Sequence, residues 1–287
     1  MSQETGTRAV CLGQPRASLP DERQLWRENI ALRNRMLARS AVSAAQGILK
    51  ERYRLSTLDE GFELLKRGSQ THNIKLHTLA DAVDRVPGPA PGALRWFPGR
   101  VRGSAPPLTG LRLVRHNGSS ATLQGEVFAA GLTRVLEVTG AERGTVQLAE
   151  SGLLRLERQV GLDGDFADFF AFVDLTGTAW AAAARDGRQV TVHDVAVDDG
   201  LDEVSRRVIL QAGSRACHGV PVPDERGALL AVISSHHATP LAGDFAPARH
   251  DALRDTAATV GRWLSWHRRT VVLDALEDLH TTARSGD

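Results

Sequence analysis

The sequence has little cysteine, no long apolar run and almost no net charge. Cys11 and Cys217 are too few and too far apart in the chain for a disulfide framework. No apolar stretch is long enough to span a bilayer, and the first residues lack the apolar segment of a signal peptide. We therefore expect a cytoplasmic protein with reduced thiols and no membrane partner.

The formal net charge is +1, so the whole chain has no strong attraction to polyanions. A nucleic-acid contact would have to come from a local patch. No Ser-His-Asp order, glycine-rich phosphate loop or paired-carboxylate motif is present, and we do not expect an enzyme. Cys217–His218 and His236–His237 could approach each other across a hairpin. Adjacent strand residues point to opposite faces, however, so we expect no metal site, and the sequence specifies no cofactor.

At 287 residues the chain exceeds the usual size of one domain, and its composition changes along its length. Helical periodicity gives way to a proline-rich and glycine-rich stretch, and then to mixed helix and strand patterns. We predict a multidomain α+β protein in which a three-helix module precedes an antiparallel sheet flanked by helices. The predicted segments are a flexible N-terminus (1–20), the helical module (21–86), a linker (87–109), the sheet domain (110–270) and a C-terminal helix and tail (271–287).

Apolar residues at helical spacing predict three helices in the module. The first runs from near Asp21 to Tyr53. The second begins at a capping box of Thr57 and Glu60, and Asn73 is expected to cap the third. The residues expected on the buried faces of the second and third helices are Leu58, Phe62, Leu65, Leu76, Leu79, Ala80 and Val83.

Ile30, Leu37 and Ala44 lie seven residues apart on the first helix, which forms a short heptad-like seam. One interpretation is that this side packs on the next two helices. The other is that it pairs with a second chain as a coiled coil, which would make the protein a homodimer. The sequence leaves both open.

Residues 39–83 carry a recurring pattern, close to R-x-x-I-x-x-A-x-G-x-L, an acidic-aromatic stretch and N-x-K-L-x-x-x-A. The residues that match it are Arg39, Val42, Ala45, Gly47, Leu49, Asp59, Glu60, Phe62, Asn73, Lys75, Leu76 and Ala80. With this pattern the stretch closely resembles the ANTAR domain, the RNA-binding domain of bacterial transcription antiterminators. Two positions depart from the family pattern, since Gly61 stands where Ala is usual and Lys50 replaces a common Met.

Cationic and amide side chains on the outward side of the module are the candidate RNA ligands. Arg and Lys neutralise phosphates, whereas Gln and Asn read the edges of unstacked bases in RNA loops. The alternative is an ordinary solvated helix surface. The resemblance favours RNA binding, because ANTAR proteins bind paired hairpin loops in transcript leaders and prevent terminator formation. The candidates are Arg39, Gln46, Lys50, Lys66, Arg67, Gln70, Asn73 and Lys75.

The linker combines aromatic and basic side chains among its prolines and glycines. Trp96 and Phe97 could dock on a neighbouring domain, or they could extend an RNA footprint together with Arg100 and Arg102. We favour docking.

The sheet domain resembles a GAF domain, the sensory fold of bacterial signalling proteins. The segments that carry the resemblance are GRQVTVHDV, the helix ending at Ala212–Gly213, the strand into Val220–Pro221, the turn Asp224–Gly227 and LLAVIS. The resemblance implies a pocket for a small molecule between the sheet and its covering helices, although the same residues could form a filled core. The signature NKxnFxxxDE of cyclic-nucleotide-binding relatives is missing. The candidate pocket residues are Phe169, Phe170, Val173, Trp180, His193 and Cys217.

Together these features predict a signal-responsive RNA-binding regulator. It would be a transcription antiterminator that binds hairpin loops in leader RNA and is gated by the GAF-like domain. The alternative is a small-molecule sensor or interaction scaffold in which the helical module only dimerises. In similar proteins the sensor usually precedes the RNA module. The order is reversed here, so a signal relay through a helix running from sensor to RNA module does not follow from the family resemblance.

Overall fold

The computed structural model describes residues 22–113, 123–175, 184 and 186–285. The helical module consists of α1 (Glu22–Tyr53), α2 (Leu58–Thr71) and α3 (Leu76–Arg85), as the periodicity predicts. Thr57 caps α2 by accepting a hydrogen bond from the backbone N–H of Glu60 at 3.3 Å. Among the described residues, no helix has the length and apolar character required to cross a bilayer.

Two local predictions in the module are wrong. Asn73 does not cap α3, because its backbone is in the left-handed region (φ 49°) and Lys75 occupies the cap position without a side-chain hydrogen bond. Leu58 is 50 % exposed, since it lies in the first turn of α2, before the part of the helix that packs on α1 and α3. The deeper residue Leu65 is fully buried.

The core of the helical module includes a helix from the far end of the chain. α8 (Leu273–Ser285) packs Ala275, Leu276 and Leu279 into the cluster that contains Leu49 and Leu65. The side chains of all five are at most 2 % exposed. The module is therefore a bundle of four helices, and it depends on both ends of the sequence.

The sheet domain contains six antiparallel strands in the order β3-β2-β1-β6-β5-β4. This sheet, with its helices and the N-terminal bundle, confirms the predicted α+β class. The strands are β1 (Arg143–Glu150), β2 (Leu153–Val160), β3 (Phe172–Asp174), β4 (Val190–Val192), β5 (Ala216–Pro223) and β6 (Leu229–His237). Among the described residues, the helices of this domain include α4 (Gln124–Thr139), α5 (Gly164–Phe169), α6 (Glu203–Gln211) and α7 (Pro247–His267).

The two faces of the sheet have different coverings. α4 and α7 cover one face, where Val146, Ile233 and Trp263 belong to the largest apolar cluster. Gly261 allows α7 to lie directly on β5, because a Cβ atom at this position would stand 2.2 Å from the carbonyl oxygen of Pro223. α5 and α6 lie over the opposite face, which carries polar side chains from β1 and β6.

A helical path connects the sheet domain to the helical module. α7 continues through a π-helical turn (Arg268–Val272) into α8 without an intervening loop. Arg268 of this turn donates a 2.8 Å hydrogen bond to the carbonyl oxygen of Ala149 at the end of β1. A helix therefore runs from the sheet domain into the helical module, because the C-terminal helix returns to the N-terminal bundle.

The linker is docked along this path. Trp96 is 5 % exposed, and the guanidinium of Arg52 lies 4.7 Å from the centre of its ring. The backbone N–H groups of Trp96 and Phe97 donate to the Glu277 carboxylate at 3.2 and 2.9 Å. Arg100 donates to the carbonyl oxygen of Arg269 in the π-helical turn at 3.1 Å. Of the two interpretations of the linker, the structure shows docking.

The heptad seam of α1 does not form one outward stripe. Ile30 is only 5 % exposed and Leu37 is half-buried, so neither is free to face a second chain, whereas Ala44 is exposed. The large apolar side chains that α1 does expose are Leu25, Leu32 and Met36.

Candidate RNA-binding surface and sensor cavity

The candidate RNA ligands on α1 occupy one side of the helix. Arg39 and Lys50 are exposed, and no hydrogen bond or ion pair engages their side chains among the described residues. Gln46 lies between them and is half-buried, since its amide Nε2 donates a 3.1 Å hydrogen bond to the carbonyl oxygen of Leu58. A Cβ at Gly61 would stand 3.1 Å from the carbonyl oxygen of Gln46. Gly61, which stands where Ala is usual in the family, therefore lies where α1 and α2 approach each other closely.

The second group of candidates lies on α2 and at the turn into α3. Arg67 and Gln70 are exposed and have no side-chain partner among the described residues, and Asn73 is exposed in the turn. Lys66 is exposed as well, and its ammonium is 3.2 Å from the carboxylate of Glu63 one turn earlier. An exposed pair of this kind contributes little and is screened by salt, so Lys66 remains accessible to an anion.

Lys75, the last candidate, is already engaged by the sheet domain. Its ammonium forms an ion pair with Glu157 of β2, whose side chain is 2 % exposed. Arg155 of the same strand also contacts the Glu157 carboxylate. Because a buried carboxylate requires such partners, this contact opposes the access of an RNA phosphate to Lys75.

Further contacts extend the attachment of α3 to the turn between β1 and β2. His77 Nδ1 lies 3.0 Å from Glu150 Oε2, and the Thr78 hydroxyl donates to Glu150 Oε1 at 2.8 Å. The backbone N–H of Ser151 donates to the carboxylate of Asp81 at 3.0 Å. Burial alone would raise the pKa of Glu150, but the hydrogen bond and charge of His77, with Arg155 and Thr78, lower it to about 2. We call the contacts of Glu150 and Glu157 with α3 the acidic clasp.

A cavity of about 260 Å³ lies over the polar face of the sheet, and four of the six candidate pocket residues border it. These four are Phe169, Phe170, Val173 and Cys217. His193 is not a lining residue, which corrects that prediction, because it lies after β4 with Nε2 3.1 Å from Asp244 Oδ1. Trp180 lies outside the described residues.

The floor of the cavity is polar and was missed by sequence reasoning. Thr145 and Gln147 of β1 and Ser234 and His236 of β6 border it, and each is at most 7 % exposed. The run SSHH at the end of an otherwise apolar strand could have predicted this polar floor. Side chains alternate between the two faces of a strand, so Ser234 and His236 lie on the same face. Burial raises the pKa of the neighbouring Cys217 to about 12, so its thiol is protonated at neutral pH.

α1 reaches from the helical module to the wall of this cavity. Arg33 borders the cavity and donates a 2.5 Å hydrogen bond to the carbonyl oxygen of Phe169. Asn34 donates to the carbonyl oxygen of Asp168 at 2.7 Å, and the Trp26 ring stacks on Phe169 with centroids 6.1 Å apart. One helix therefore carries both candidate RNA ligands and part of the sensor wall.

Comparison with known proteins finds similarity in both parts of the chain. Residues 31–83 match the family model of the ANTAR domain, which covers most of α1 together with α2 and most of α3. Solved structures similar in fold to the C-terminal part are GAF domains. No curated protein matches the chain.

Three of these GAF structures illustrate the similarity. The GAF domain/HD domain protein from Geobacter sulfurreducens is 17 % identical, with 52 % of this chain and 97 % of that one covered and a TM-score of 0.44. GAF domains of phosphoenolpyruvate-protein phosphotransferases from Coxiella burnetii and Acinetobacter are 12 % and 14 % identical. Each comparison covers 52 % of this chain and 86 % of the other, with TM-scores of 0.43 and 0.41.

Proposed function

We propose that this chain is a signal-responsive RNA-binding regulator, a transcription antiterminator that binds hairpin loops in leader RNA under the control of its GAF-like domain. The observation that carries the proposal is the ANTAR match over helices whose Arg39, Lys50 and Arg67 are exposed and unpaired among the described residues. The proposal assigns no catalytic step to the chain, and a regulator of nascent transcripts acts in the bacterial cytoplasm.

The chemistry of the exposed side chains suits a looped RNA. Arg39, Lys50 and Arg67 can each neutralise a phosphate, and the release of counterions then favours binding. Gln70 and Asn73 present amide groups that can donate to and accept from the edge of an unstacked base. Since the net charge of the chain is only +1, binding has to depend on this local arrangement.

The acidic clasp supports control by the sheet domain. The charge of Lys75 is balanced while it is paired with Glu157, so the clasp weakens the attraction of this cation for an RNA phosphate. A molecule in the cavity would act on α1 through Phe169 and Arg33, whereas α7 and α8 form a second connection to the bundle. A ligand that favours an arrangement with the clasp open would increase RNA affinity.

Transcription in vitro tests the proposal. The template carries a two-hairpin leader upstream of a terminator, and the measured quantity is the fraction of transcripts that read through. We expect the full chain to increase read-through and Arg67→Ala to reduce this increase severalfold, because Arg67 contributes a phosphate contact. Arg226→Ala removes an equally exposed Arg from the β5–β6 turn and should behave as wild type.

Read-through that is independent of the protein would contradict the antitermination proposal. RNA binding without an effect on read-through would leave a regulator that acts on another step.

The exposed apolar side chains of α1 favour a homodimer within this proposal. Leu25, Leu32 and Met36 lie on one side of the helix and are 50, 55 and 73 % exposed. Two modules in one dimer would engage two loops of one leader and gain effective concentration. A chain that is dimeric by light scattering but has no affinity for RNA would instead support the alternative, a sensor or scaffold in which the module only dimerises.

A further inference from the structure

The cavity floor presents hydroxyl groups that none of the described residues engages. Thr145 of β1 pairs with Ser234 of β6, so their side chains are neighbours on the same face of the sheet. Both border the cavity and are 3 % exposed. Neither hydroxyl has a hydrogen-bond partner among the described residues. Buried polar groups are normally satisfied, and unsatisfied ones that border a cavity indicate what its occupant must supply.

His236 contributes an acceptor beside these hydroxyls. The Ser214 hydroxyl lies 3.2 Å from the carbonyl oxygen of Ala216 and 3.1 Å from His236 Nδ1. Both contacts are hydrogen bonds only when the Ser214 hydroxyl donates to the carbonyl of Ala216, which can only accept, and His236 Nδ1–H donates to the Ser214 oxygen. Nε2 of the neutral ring is then a bare acceptor with no partner among the described residues. Burial, followed by the charges of His237 and Arg143, lowers the pKa of His236 to about 3, so the ring is neutral at physiological pH.

The walls of the cavity are aromatic. Phe166 and Phe170 have centroids 4.6 Å apart, and Phe169 meets Phe170 edge to face at 4.8 Å. The edge of His236 meets Phe166 at 5.3 Å. Rings arranged in this way accept a flat molecule by stacking and edge contacts. A volume of about 260 Å³ limits that molecule to one or two rings.

Charges of both signs border the cavity, since Arg33, Asp174 and Asp202 all line it. Arg33 donates to the carbonyl oxygen of Phe169, and its buried Nε has no hydrogen-bond partner among the described residues. Asp202 caps α6, where it accepts hydrogen bonds from the backbone and hydroxyl of Ser205. An anion would face the two carboxylates and a cation would face Arg33, so neither gains a net attraction that offsets its lost hydration.

We propose that the cavity binds a small, uncharged, planar heteroaromatic molecule whose ring N–H donates to His236 Nε2. The Thr145 and Ser234 hydroxyls complete its polar contacts, and its faces pack on the Phe side chains. This inference rests on the sensor part of the proposed function and names the chemical class that the sensor recognises. Since Phe169 also holds Arg33 and Trp26, an occupant beside it contacts the same residue that supports α1.

Calorimetric titration of the full chain with three probes tests this inference. Indole is neutral and bears one ring N–H, benzofuran has the same shape with oxygen in place of N–H, and indole-3-carboxylate adds a negative charge. We expect indole to bind roughly 5- to 100-fold more tightly than benzofuran, the range expected when a buried acceptor loses its donor. Indole-3-carboxylate should bind more weakly than indole.

Matched variants assign the preference to one atom. His236→Phe should bring the indole-to-benzofuran affinity ratio close to one, because it removes the acceptor and keeps a ring. His193→Phe makes the same change outside the cavity and should retain the wild-type ratio. Should His236→Phe fail to fold, 1-methylindole is the second measurement on wild type, because it lacks the N–H and should bind no more tightly than benzofuran.

Several results would overturn the inference. These are equal affinities of wild type for indole and benzofuran, tighter binding of indole-3-carboxylate, or no binding of indole at millimolar concentration. RNA affinity is measured on the same preparation without a probe. Retained RNA affinity with no preference for the N–H donor would overturn the ligand class alone, whereas loss of RNA affinity would contradict the proposed function itself.

Discussion

At the scale of single residues, Glu157 is the group that opposes RNA binding most directly. Its carboxylate is almost fully buried and is held between Lys75 of the helical module and Arg155 of the sheet domain. Lys75 keeps an exposed side chain in this arrangement, so the same ammonium is within reach of solvent and of an RNA phosphate. The clasp and the RNA therefore compete for one cation.

Glu157→Gln should increase RNA affinity. Glutamine keeps the size of the side chain but loses the charge and one acceptor oxygen, so Lys75 becomes available to a phosphate. We expect about a fivefold gain, corresponding to about 1 kcal/mol for one exposed ionic contact. Fluorescence anisotropy with a labelled two-hairpin RNA measures the change.

Glu142→Gln is the matched control, because Glu142 is exposed and lies just before β1. It removes one negative charge from the sheet domain without touching the clasp. An equal gain in both variants would attribute the effect to net charge and contradict the clasp.

At the scale of elements, α8 is a structural part of the helical module. Leu276 is fully buried among residues of the module, although it is separated from them by the whole sheet domain. His72 at the end of α2 contacts Asp278 of α8 at 2.5 Å, and Glu277 holds the linker. The module is therefore expected to lose its packing when α8 is damaged.

Leu276→Ala should destabilise the protein by about 2–5 kcal/mol, because it leaves a cavity in the core of the bundle. Chemical denaturation measures this loss, and RNA affinity should fall in parallel as the module opens. Leu94→Ala is the control, since Leu94 is 79 % exposed in the linker and should change stability by less than about 0.5 kcal/mol. Equal stability of the two variants would show that α8 is dispensable.

The elements themselves were predictable from local patterns, because apolar spacing identified the three module helices, and the segments on either side of the turn Asp224–Gly227 indicated the strand pair β5–β6. Features that depend on distant contacts were not. Nothing near Arg33 in the sequence indicates Phe169, which lies 136 residues away. Asn73 resembles a cap by residue type, yet the left-handed turn after α2 places Lys75 there. The packing of α8 into the helical module was missed for the same reason, because the apolar stripe of a helix does not show which element it packs against.

At the scale of the whole molecule, the two domains are joined by several structural connections, although their order along the chain is reversed. α1 extends from the RNA-binding surface to the sensor cavity, and α8 extends from the sheet domain back into the bundle. The acidic clasp is a third connection, from β1 and β2 to α3. A change at the cavity can therefore reach the RNA-binding helices by more than one route.

The salt dependence of RNA affinity tests the central claim most directly. Binding of the two-hairpin leader is measured from low to physiological salt for wild type, for Arg39→Ala with Arg67→Ala, and for Arg226→Ala. We predict weaker binding by the double variant and a log–log slope that is shallower by about 1.4, roughly 0.7 for each lost phosphate contact with single-stranded RNA. Arg226→Ala should match wild type. A double variant with unchanged affinity and slope would contradict RNA recognition by this surface.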